Sequence, residues 1–366
     1  MKMTSENVYV EPQNGRREGT KKYPKKSREI SPRTTYRGAP ITSFDKLITY
    51  KYILCSNSLF RLLPFNMSSS KEPEPEPTFQ LFTSLRYDPI LLQSPLNIES
   101  WPLPSPAPCP FYMLPYHRDR LQQAATHFSW PIAINAISGP EGFQNLLTTL
   151  SKNIDTSSPA PLRVRIVLDH KGNLTVESNP VPAVSLSNLF PTRLPPPSTT
   201  SSHPTPQVSI SPLTGGALTL GTTDFLPSEP LKSFNSSSPY TIIPDPSLTT
   251  PSPYTGFKTT SRNMYDTARS RAEIHTFTEP KEVLLVSSNG QIMEGSLTTP
   301  FFYRDRKWVT PSEECGGQIG TTRRWALEKG ISTQTTIPIT SLTENEECWI
   351  SNGVRGFTFG RIKFLS

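Results

Sequence analysis

The sequence predicts an α+β protein built from two domains. Helix and strand patterns occur together before residue 184 and again after residue 250, and a proline-rich stretch separates the two regions. Residues 191–253 contain 14 prolines interleaved with serine and threonine, a composition that cannot build a continuous helix or a central strand. We therefore predict a small α+β domain at 78–183, a linker or insertion at 184–250 and a larger domain at 251–366.

Residues 1–77 are predicted to be a disordered basic leader that ends in a Glu-Pro run. Residues 1–66 contain 13 of the 37 basic residues and 5 of the 30 acidic ones, so residues 67–366 have 24 basic and 25 acidic residues. Because the body is neutral, the net charge of +7 does not indicate a nucleic-acid partner for it. Met67, followed by three serines, is a candidate start of the compact protein.

Several classes of protein are disfavoured by the same sequence. The most apolar stretch, residues 47–65, is interrupted by Lys51 and Arg61, so no membrane span is expected. The N-terminus lacks the order of regions that a signal peptide requires. The four cysteines are widely spaced and the five histidines do not cluster, so we expect no disulfide framework and no metal site. A cytoplasmic protein is the resulting prediction.

In the first domain, alternating apolar residues predict a strand from Phe79 to Tyr87. A helix is predicted within Tyr112–Phe128, because its apolar residues recur at helical spacing, and a second helix begins near Gly142. A hairpin with Gly172 at its turn follows. In the second domain we predict, in order, a helix at 265–274, a strand at 283–287, a turn at 288–290, a strand at 301–303, a helix at 322–329 and a strand at 348–350.

Nucleophile-elbow, phosphate-loop and zinc-protease motifs are absent, and five short segments in a fixed order stand out instead. They read His117-Arg-Asp-Arg120-Leu121, Lys258-Thr-Thr-Ser-Arg262, Glu294-Gly-Ser-Leu-Thr-Thr299, Gly320-Thr-Thr-Arg323 and Ser351-Asn-Gly353. Over roughly residues 79–366 this order resembles the class IV aminotransferase family of pyridoxal-phosphate enzymes, and most of all its fungal-type aminodeoxychorismate lyases. The resemblance implies the two-domain fold-type IV architecture, which is like that of D-amino acid aminotransferase.

The resemblance also implies a cofactor, pyridoxal 5'-phosphate, and the residues that hold it. The cofactor needs a lysine for its aldehyde, an acid opposite its ring nitrogen and a group of donors for its phosphate. By motif position, Lys258 is that lysine and Glu294 that acid. The phosphate is expected to contact Arg120, Thr321, Thr322, Asn352 and Gly353. Arg262 and Tyr265 are alternative partners for the ring oxygen, and either of them could instead pack a helix.

Two positions depart from the family pattern. Thr299 stands where the family often has asparagine, and Gly320-Thr-Thr-Arg323 replaces Gly-Ile-Thr-Arg. These departures affect the assignment of the phosphate contacts more than that of Lys258.

The function implied by the resemblance is the conversion of 4-amino-4-deoxychorismate to 4-aminobenzoate and pyruvate, which supplies folate synthesis. Lys258 would act as the general base. Arg86 and Arg355 are candidates to bind the substrate carboxylates, with structural salt bridges as the alternative for both. A branched-chain or D-amino acid aminotransferase is the second hypothesis and a non-catalytic binding protein the third. A small-molecule substrate and a homodimer are also implied, with no nucleic-acid or membrane partner.

Overall fold

The computed structural model of the protein describes residues 76–99, 101, 107–197, 207–210, 217–220 and 238–365. The chain divides into two compact units, residues 1–70 and 71–366, and every described residue lies in the second. The predicted leader at 1–77 therefore lies outside the described residues, except for residues 76 and 77.

The N-terminal lobe of the second unit is a three-stranded antiparallel sheet packed against three helices. The strands are β1 (Leu81–Tyr87), β2 (Leu162–Leu168) and β3 (Leu174–Pro180), in the spatial order β1-β2-β3. The helices are α1 (Leu114–His127), α2 (Pro131–Ile137) and α3 (Gly139–Asn153). Gly142 is required where α3 approaches α2, because a Cβ there would lie 2.2 Å from the carbonyl carbon of Ile137.

The strand β1 shows why these residues form this lobe. Successive side chains of a strand point to opposite faces, and Leu81, Leu85 and Tyr87 are buried in the lobe core with the apolar stripe of α1. Phe82 is on the opposite face, which is the face that the second lobe meets. The same short strand thus supplies both the core and one wall of the cleft between the lobes.

The C-terminal lobe is built on an eight-stranded mixed sheet. Ahead of it come α4 (Leu186–Leu189) and a hairpin of β4 (Gln207–Ile210) and β5 (Ala217–Leu220). The sheet strands are β6 (Tyr240–Thr249), β7 (Lys281–Ser287), β8 (Ile292–Gly295), β9 (Thr299–Arg304), β10 (Lys307–Pro311), β11 (Thr333–Thr335), β12 (Glu347–Asn352) and β13 (Gly356–Ile362). Their spatial order is β11-β10-β9-β12-β13-β6-β7-β8. The helices α5 (Pro253–Gly256), α6 (Asn263–Arg271) and α7 (Thr321–Glu328) complete the lobe.

The structure changes the limits of the predicted linker at 184–250. Strand β6, the last part of that range, lies inside the large sheet between β13 and β7. Its prolines are tolerated because the pairing of β6 with β7 shifts register between Pro244 and Leu248. At the other end, Leu189 and Phe190 are buried in a core that both lobes share.

The two lobes are joined by backbone hydrogen bonds next to the predicted active-site lysine. The amide of Phe82 donates to the carbonyl of Lys258 at 3.0 Å, and the amide of Thr260 donates to the carbonyl of Gln80 at 2.8 Å. Residues 258–260 thus run alongside the start of β1. This pairing fixes Lys258 at the floor of the cleft.

The α+β prediction is confirmed, and each element predicted for the two domains is present within a few residues of its expected limits. Helix α2 was not predicted, because its seven residues are too few to show a helical period. None of the helices in the described part of the chain is both long and apolar enough to cross a membrane.

Phe301 tests the shared core. Its side chain is fully buried, so Phe301→Ala should lower the free energy of unfolding by about 3–5 kcal/mol, because it leaves a cavity in close-packed surroundings. Phe364→Ala is the matched control: Phe364 is 38% exposed and should change that free energy by less than about 1 kcal/mol. Denaturant unfolding followed by tryptophan fluorescence measures both, and equal effects would contradict this description of the core.

Candidate active site

Lys258 lies at the junction of the lobes, with its Nζ 5.0 Å from the centre of the Phe82 ring. Burial lowers the pKa of this amine well below its usual value, and the positive charges of Arg262 and Arg120 lower it further. Glu294 opposes the shift, but its contribution is smaller. The neutral amine, which is the nucleophilic and basic form, is therefore favoured here.

Glu294 extends from β8 into the same buried space. The hydroxyl of Tyr265 donates a hydrogen bond to its Oε1 at 2.6 Å, and Nε2 of Gln318 donates to the Tyr265 oxygen at 2.9 Å. Burial raises the pKa of Glu294 to about 7, and the bond from Tyr265 and the charge of Lys258 limit this rise. Tyr265 therefore orients the carboxylate, so of the two candidates for the ring-oxygen partner, Arg262 is the one with a free donor.

Arg262 immediately precedes α6 and points back into the cleft. Its Nη2 donates to the backbone oxygen of Ser296 at 2.6 Å, and its guanidinium carbon lies 4.1 Å from the centre of the Tyr265 ring. Its Nη1 is buried and, among the residues that the structure describes, has no hydrogen-bond partner. A buried donor without an acceptor costs roughly 1–3 kcal/mol, and a charged one costs more, so this atom indicates a site for an acceptor.

Arg120 reaches the cleft from α1 and donates to the hydroxyl of Thr83 on β1. Its Nε is buried and also lacks a partner within the described ranges. Burial lowers the pKa of Arg120 to about 10, and the negative charge of Glu294 raises it. The guanidinium therefore stays charged at neutral pH.

Thr321 and Thr322 open helix α7 on the same side as Arg120. The N–H groups of a first helical turn have no partner within the helix and favour an anion. The Thr322 hydroxyl is 2.7 Å from that of Ser351, and the Thr321 hydroxyl is 3.3 Å from Nε2 of His117. Arg120 and Thr321 line one cavity, and Thr322 follows in the same helical turn.

Asn352 is the last residue of β12, and Gly353 lies in the loop after it. Oδ1 of Asn352 accepts hydrogen bonds from the amides of Val354 at 3.0 Å and Arg355 at 2.9 Å, so this oxygen holds the turn and is not free for a ligand. Gly353 packs against His117: a Cβ there would lie 2.6 Å from Cε1 of the imidazole. Asn352 thus fixes the turn, and Gly353 leaves room for the imidazole.

The prediction that Arg86 binds a substrate carboxylate is wrong, because its guanidinium is not available. Its guanidinium is buried, pairs with Asp88 at 2.7 Å and donates to the carbonyl oxygens of Pro182 and Val354. The salt bridge that was the alternative for this residue is what the structure contains. Arg355 donates to the carbonyl of Phe277 and remains half-buried near the cleft.

Sequence reasoning missed Arg163 and Arg165, which project from β2 beside the cleft. The guanidinium carbon of Arg165 lies 4.8 Å from the centre of the Phe82 ring, the ring that Lys258 approaches. Arg163 lowers the pKa of Lys258, and its own pKa is lowered first by burial and then by Arg165. The signal was present in Leu162-Arg-Val-Arg-Ile166, where arginines alternate with the apolar residues of a half-buried strand.

Comparison with known proteins identifies the fold on which this site is built. Residues 217–361 match the family model described as amino-transferase class IV. This part of the chain is therefore similar in sequence to the class IV aminotransferases. A putative amino-acid aminotransferase from Mesorhizobium loti has the same fold, with a TM-score of 0.50 and 18% identity over 78% of this chain and 100% of that one. The predicted resemblance to this family and the predicted architecture are both confirmed.

Two curated relatives are fungal. An aminodeoxychorismate lyase of Saccharomyces cerevisiae is 35% identical over 129 residues, which are 31% of this chain and 34% of the relative. A putative aminodeoxychorismate lyase of Schizosaccharomyces pombe is 35% identical over 95 residues, which are 25% of this chain and 41% of that one. The chain thus spans less than half the length of the curated relatives that it matches, and the fungal-type lyases are the branch that it resembles.

The raised pKa of Glu294 predicts a pH-dependent stability for the cofactor-free protein. The folded state binds this proton more tightly than the unfolded state, so between about pH 4.5 and pH 7 the free energy of unfolding should fall as pH rises. Relative to Glu294→Gln, which cannot ionise, the fall should be on the order of 3 kcal/mol. Denaturant unfolding at a series of pH values measures it, and parallel curves for the two proteins would contradict the assignment.

Proposed function

We propose that this protein is a pyridoxal-phosphate-dependent aminodeoxychorismate lyase that converts 4-amino-4-deoxychorismate to 4-aminobenzoate and pyruvate. The observation that carries the proposal is the single buried site in which Lys258, with its lowered pKa, faces Glu294 beside two arginines with free donors. The similarity to the two fungal lyases supports this reaction in particular.

The residues present fit the cofactor. Arg120 and Arg262 each contribute a buried guanidinium N–H without a protein acceptor in the described part of the chain, as an anionic ligand requires. Arg120, Thr321 and Thr322 would hold the phosphate and Arg262 the ring oxygen. Glu294 would hold the ring nitrogen, because a buried carboxyl with a pKa of about 7 can share a proton with a pyridine.

Pyridoxal phosphate, when bound, supplies an electron sink conjugated to the substrate amine. The chain supplies the proton transfers. Lys258 Nζ, once free, accepts the proton from the ring carbon that bears the amine, and its low pKa makes the neutral form available for this step. The carbon–oxygen bond to the enolpyruvyl group then breaks, and Lys258 returns the proton as pyruvate forms. The reaction splits one molecule into two and consumes neither water nor oxidant.

Arg163 is our candidate for binding a substrate carboxylate, in place of Arg86. It is half-buried, lies close enough to Lys258 to shift its pKa, and forms none of the salt bridges found among the described residues. Arg165, which pairs with the exposed Glu177 at 3.0 Å, and Arg355, whose charge also lowers the pKa of Arg163, add to the positive field. Substrate with two carboxylates suits such a surface.

Transamination of a branched-chain or D-amino acid is the second candidate, because the matched family model is that of class IV aminotransferases and the same Lys258 and Glu294 serve both reactions. The two are separated by the need for an acceptor. Purified protein given 4-amino-4-deoxychorismate should release 4-aminobenzoate and pyruvate without any keto acid. Strict dependence on 2-oxoglutarate or pyruvate would favour the aminotransferase.

Lys258 provides the direct test of the site. The purified protein should have a visible absorbance band that borohydride abolishes, with the reduced adduct on the peptide that contains Lys258. Lys258→Ala should lose this band and at least about 1,000-fold in kcat, because nucleophile and base are removed together. A variant that keeps both band and activity would refute the assignment, and a wild-type protein without cofactor would favour a non-catalytic binding protein.

Arg163→Met tests the substrate site. Loss of one charge-assisted hydrogen bond should lower kcat/KM for the lyase reaction about 10- to 100-fold. The absorbance band of the cofactor should remain, since Arg163 is not among its proposed ligands. Arg306→Met is the matched control, because Arg306 is exposed in the turn between β9 and β10. Equal rates for Arg163→Met and the control would remove Arg163 from the substrate site.

A homodimer and a cytoplasmic location remain predictions from the sequence. Sedimentation of the purified protein and fluorescence imaging of the tagged full chain test them.

A further inference from the structure

His117 is a fully buried histidine that the mechanism above does not use. It lies one helical turn before Arg120 on α1, under Gly353. Both ring nitrogens face polar partners: Nδ1 is 2.6 Å from the hydroxyl of Thr83, and Nε2 is 3.3 Å from the hydroxyl of Thr321. The imidazole therefore bridges β1 of one lobe to the start of α7 in the other.

The ring is neutral in this position. Burial lowers the pKa of His117 well below its usual value, and the charges of Arg120 and Lys258 lower it further. A neutral imidazole has one N–H donor and one acceptor nitrogen. The partners decide which nitrogen has the proton.

The partners on the Nδ1 side favour an unprotonated Nδ1. Nη2 of Arg120 lies 3.4 Å from it and can only donate. The same Nη2 donates to the Thr83 hydroxyl, which leaves the hydroxyl proton of Thr83 free to be given to Nδ1. A proton on Nδ1 would face the Arg120 donor, so the proton belongs on Nε2.

The tautomer decides what Thr321 can do. When Nε2 has the proton, it donates to the Thr321 oxygen, and the hydroxyl proton of Thr321 is then free to point away from His117. With the other tautomer, the hydroxyl of Thr321 would have to donate its single proton to Nε2 and could not donate to an anion.

We infer that His117 is a positioning residue that makes Thr321 a hydrogen-bond donor to the phosphate group of the ligand, in one chain that runs from Arg120 through Thr83 and His117. The inference rests on the proposed cofactor for the identity of that phosphate. It assigns a role to a residue that is not itself in contact with the ligand. Gly353 contributes by leaving room for the imidazole, since a Cβ there would lie 2.7 Å from Nε2.

Two substitutions test the roles of the two ring nitrogens separately. The amide oxygen of His117→Asn is as many bonds from Cα as Nδ1 and can accept from Thr83, but it has no counterpart of Nε2. The amide nitrogen of His117→Gln is as many bonds from Cα as Nε2 and keeps a donor for Thr321. His275→Gln, at an exposed histidine, is the control.

Binding of two ligands to the cofactor-free full chain is then compared by absorbance titration. His117→Asn should lower the affinity for pyridoxal 5'-phosphate about 3- to 10-fold, which is the effect of one hydrogen bond. His117→Gln and His275→Gln should change this affinity less than about 3-fold. None should alter the affinity for pyridoxal, which lacks the phosphate. In a Thr321→Val background, His117→Asn should cause no further loss. Equal weakening of both ligands, or additive losses with Thr321→Val, would overturn the inference.

Nitrogen-15 NMR of histidine-labelled, cofactor-free protein tests the tautomer by itself, with His117→Asn assigning the resonance. An unprotonated Nδ1 and a protonated Nε2 near neutral pH are expected, and the opposite tautomer or an imidazolium would overturn the inference. This measurement does not require the ligand. Failure of the wild-type protein to bind pyridoxal 5'-phosphate would therefore count against the proposed function, while the tautomer would still be read directly.

Discussion

Three half-buried basic side chains lie around one buried carboxylate between the lobes, and the properties of the site depend on this imbalance. They are Lys258, Arg120 and Arg262, and the carboxylate is that of Glu294. Removing charges from water is costly, and a net positive cluster cannot recover that cost internally. The site responds where it can: Lys258 favours its neutral form and His117 stays uncharged. The guanidinium groups cannot lose their charge near neutral pH, so the balance has to come from an anionic ligand.

The fold maintains this cluster by using each element for two purposes. Strand β1 directs Leu81 and Leu85 into the small core, while Phe82 lies beneath Lys258 on the other face. Its backbone also pairs with residues 258–260 and, through Arg86, with Gly353. Because these contacts belong to one seven-residue strand and the residue before it, Lys258 and the loop after β12 are held at a fixed separation. A shift of β1 by one residue would turn Phe82 into the core and disrupt all of them.

Local pattern was enough to predict the helices and strands named in the sequence analysis, and the order of the motifs supplied the candidate site residues. Lys258, Glu294, Arg120 and Thr321 each sit in a short segment whose type of residue and place in the order are informative. Arg86 shows what local pattern leaves out. It pairs with the nearby Asp88, but the carbonyls of Pro182 and Val354, which are distant in sequence, also accept from its guanidinium.

Strand β6 shows the same limit at the level of the fold. Its prolines argued for a linker, since proline removes a ladder hydrogen bond. The neighbouring strands β13 and β7 nevertheless enclose it, and the register shift after Pro244 lets the ladder resume at Leu248. The proline content indicates that this segment has a low intrinsic tendency to form a strand. Composition does not include the stability that the strand gains when Ile242 and Ile243 are buried between two neighbouring strands.

The polar chain through His117 extends this argument from packing to chemistry. A threonine at a helix start has two possible directions for its proton, and nothing in its own segment chooses between them. The choice is made by Arg120 one turn along another helix, transmitted through Thr83 and the imidazole. In the proposed function, Arg120 thus acts on the phosphate twice, directly through its charge and indirectly by fixing the donor direction of Thr321. A lysine at position 120 would retain a positive charge but not the planar fork that places a donor on Thr83 while Nε stays free.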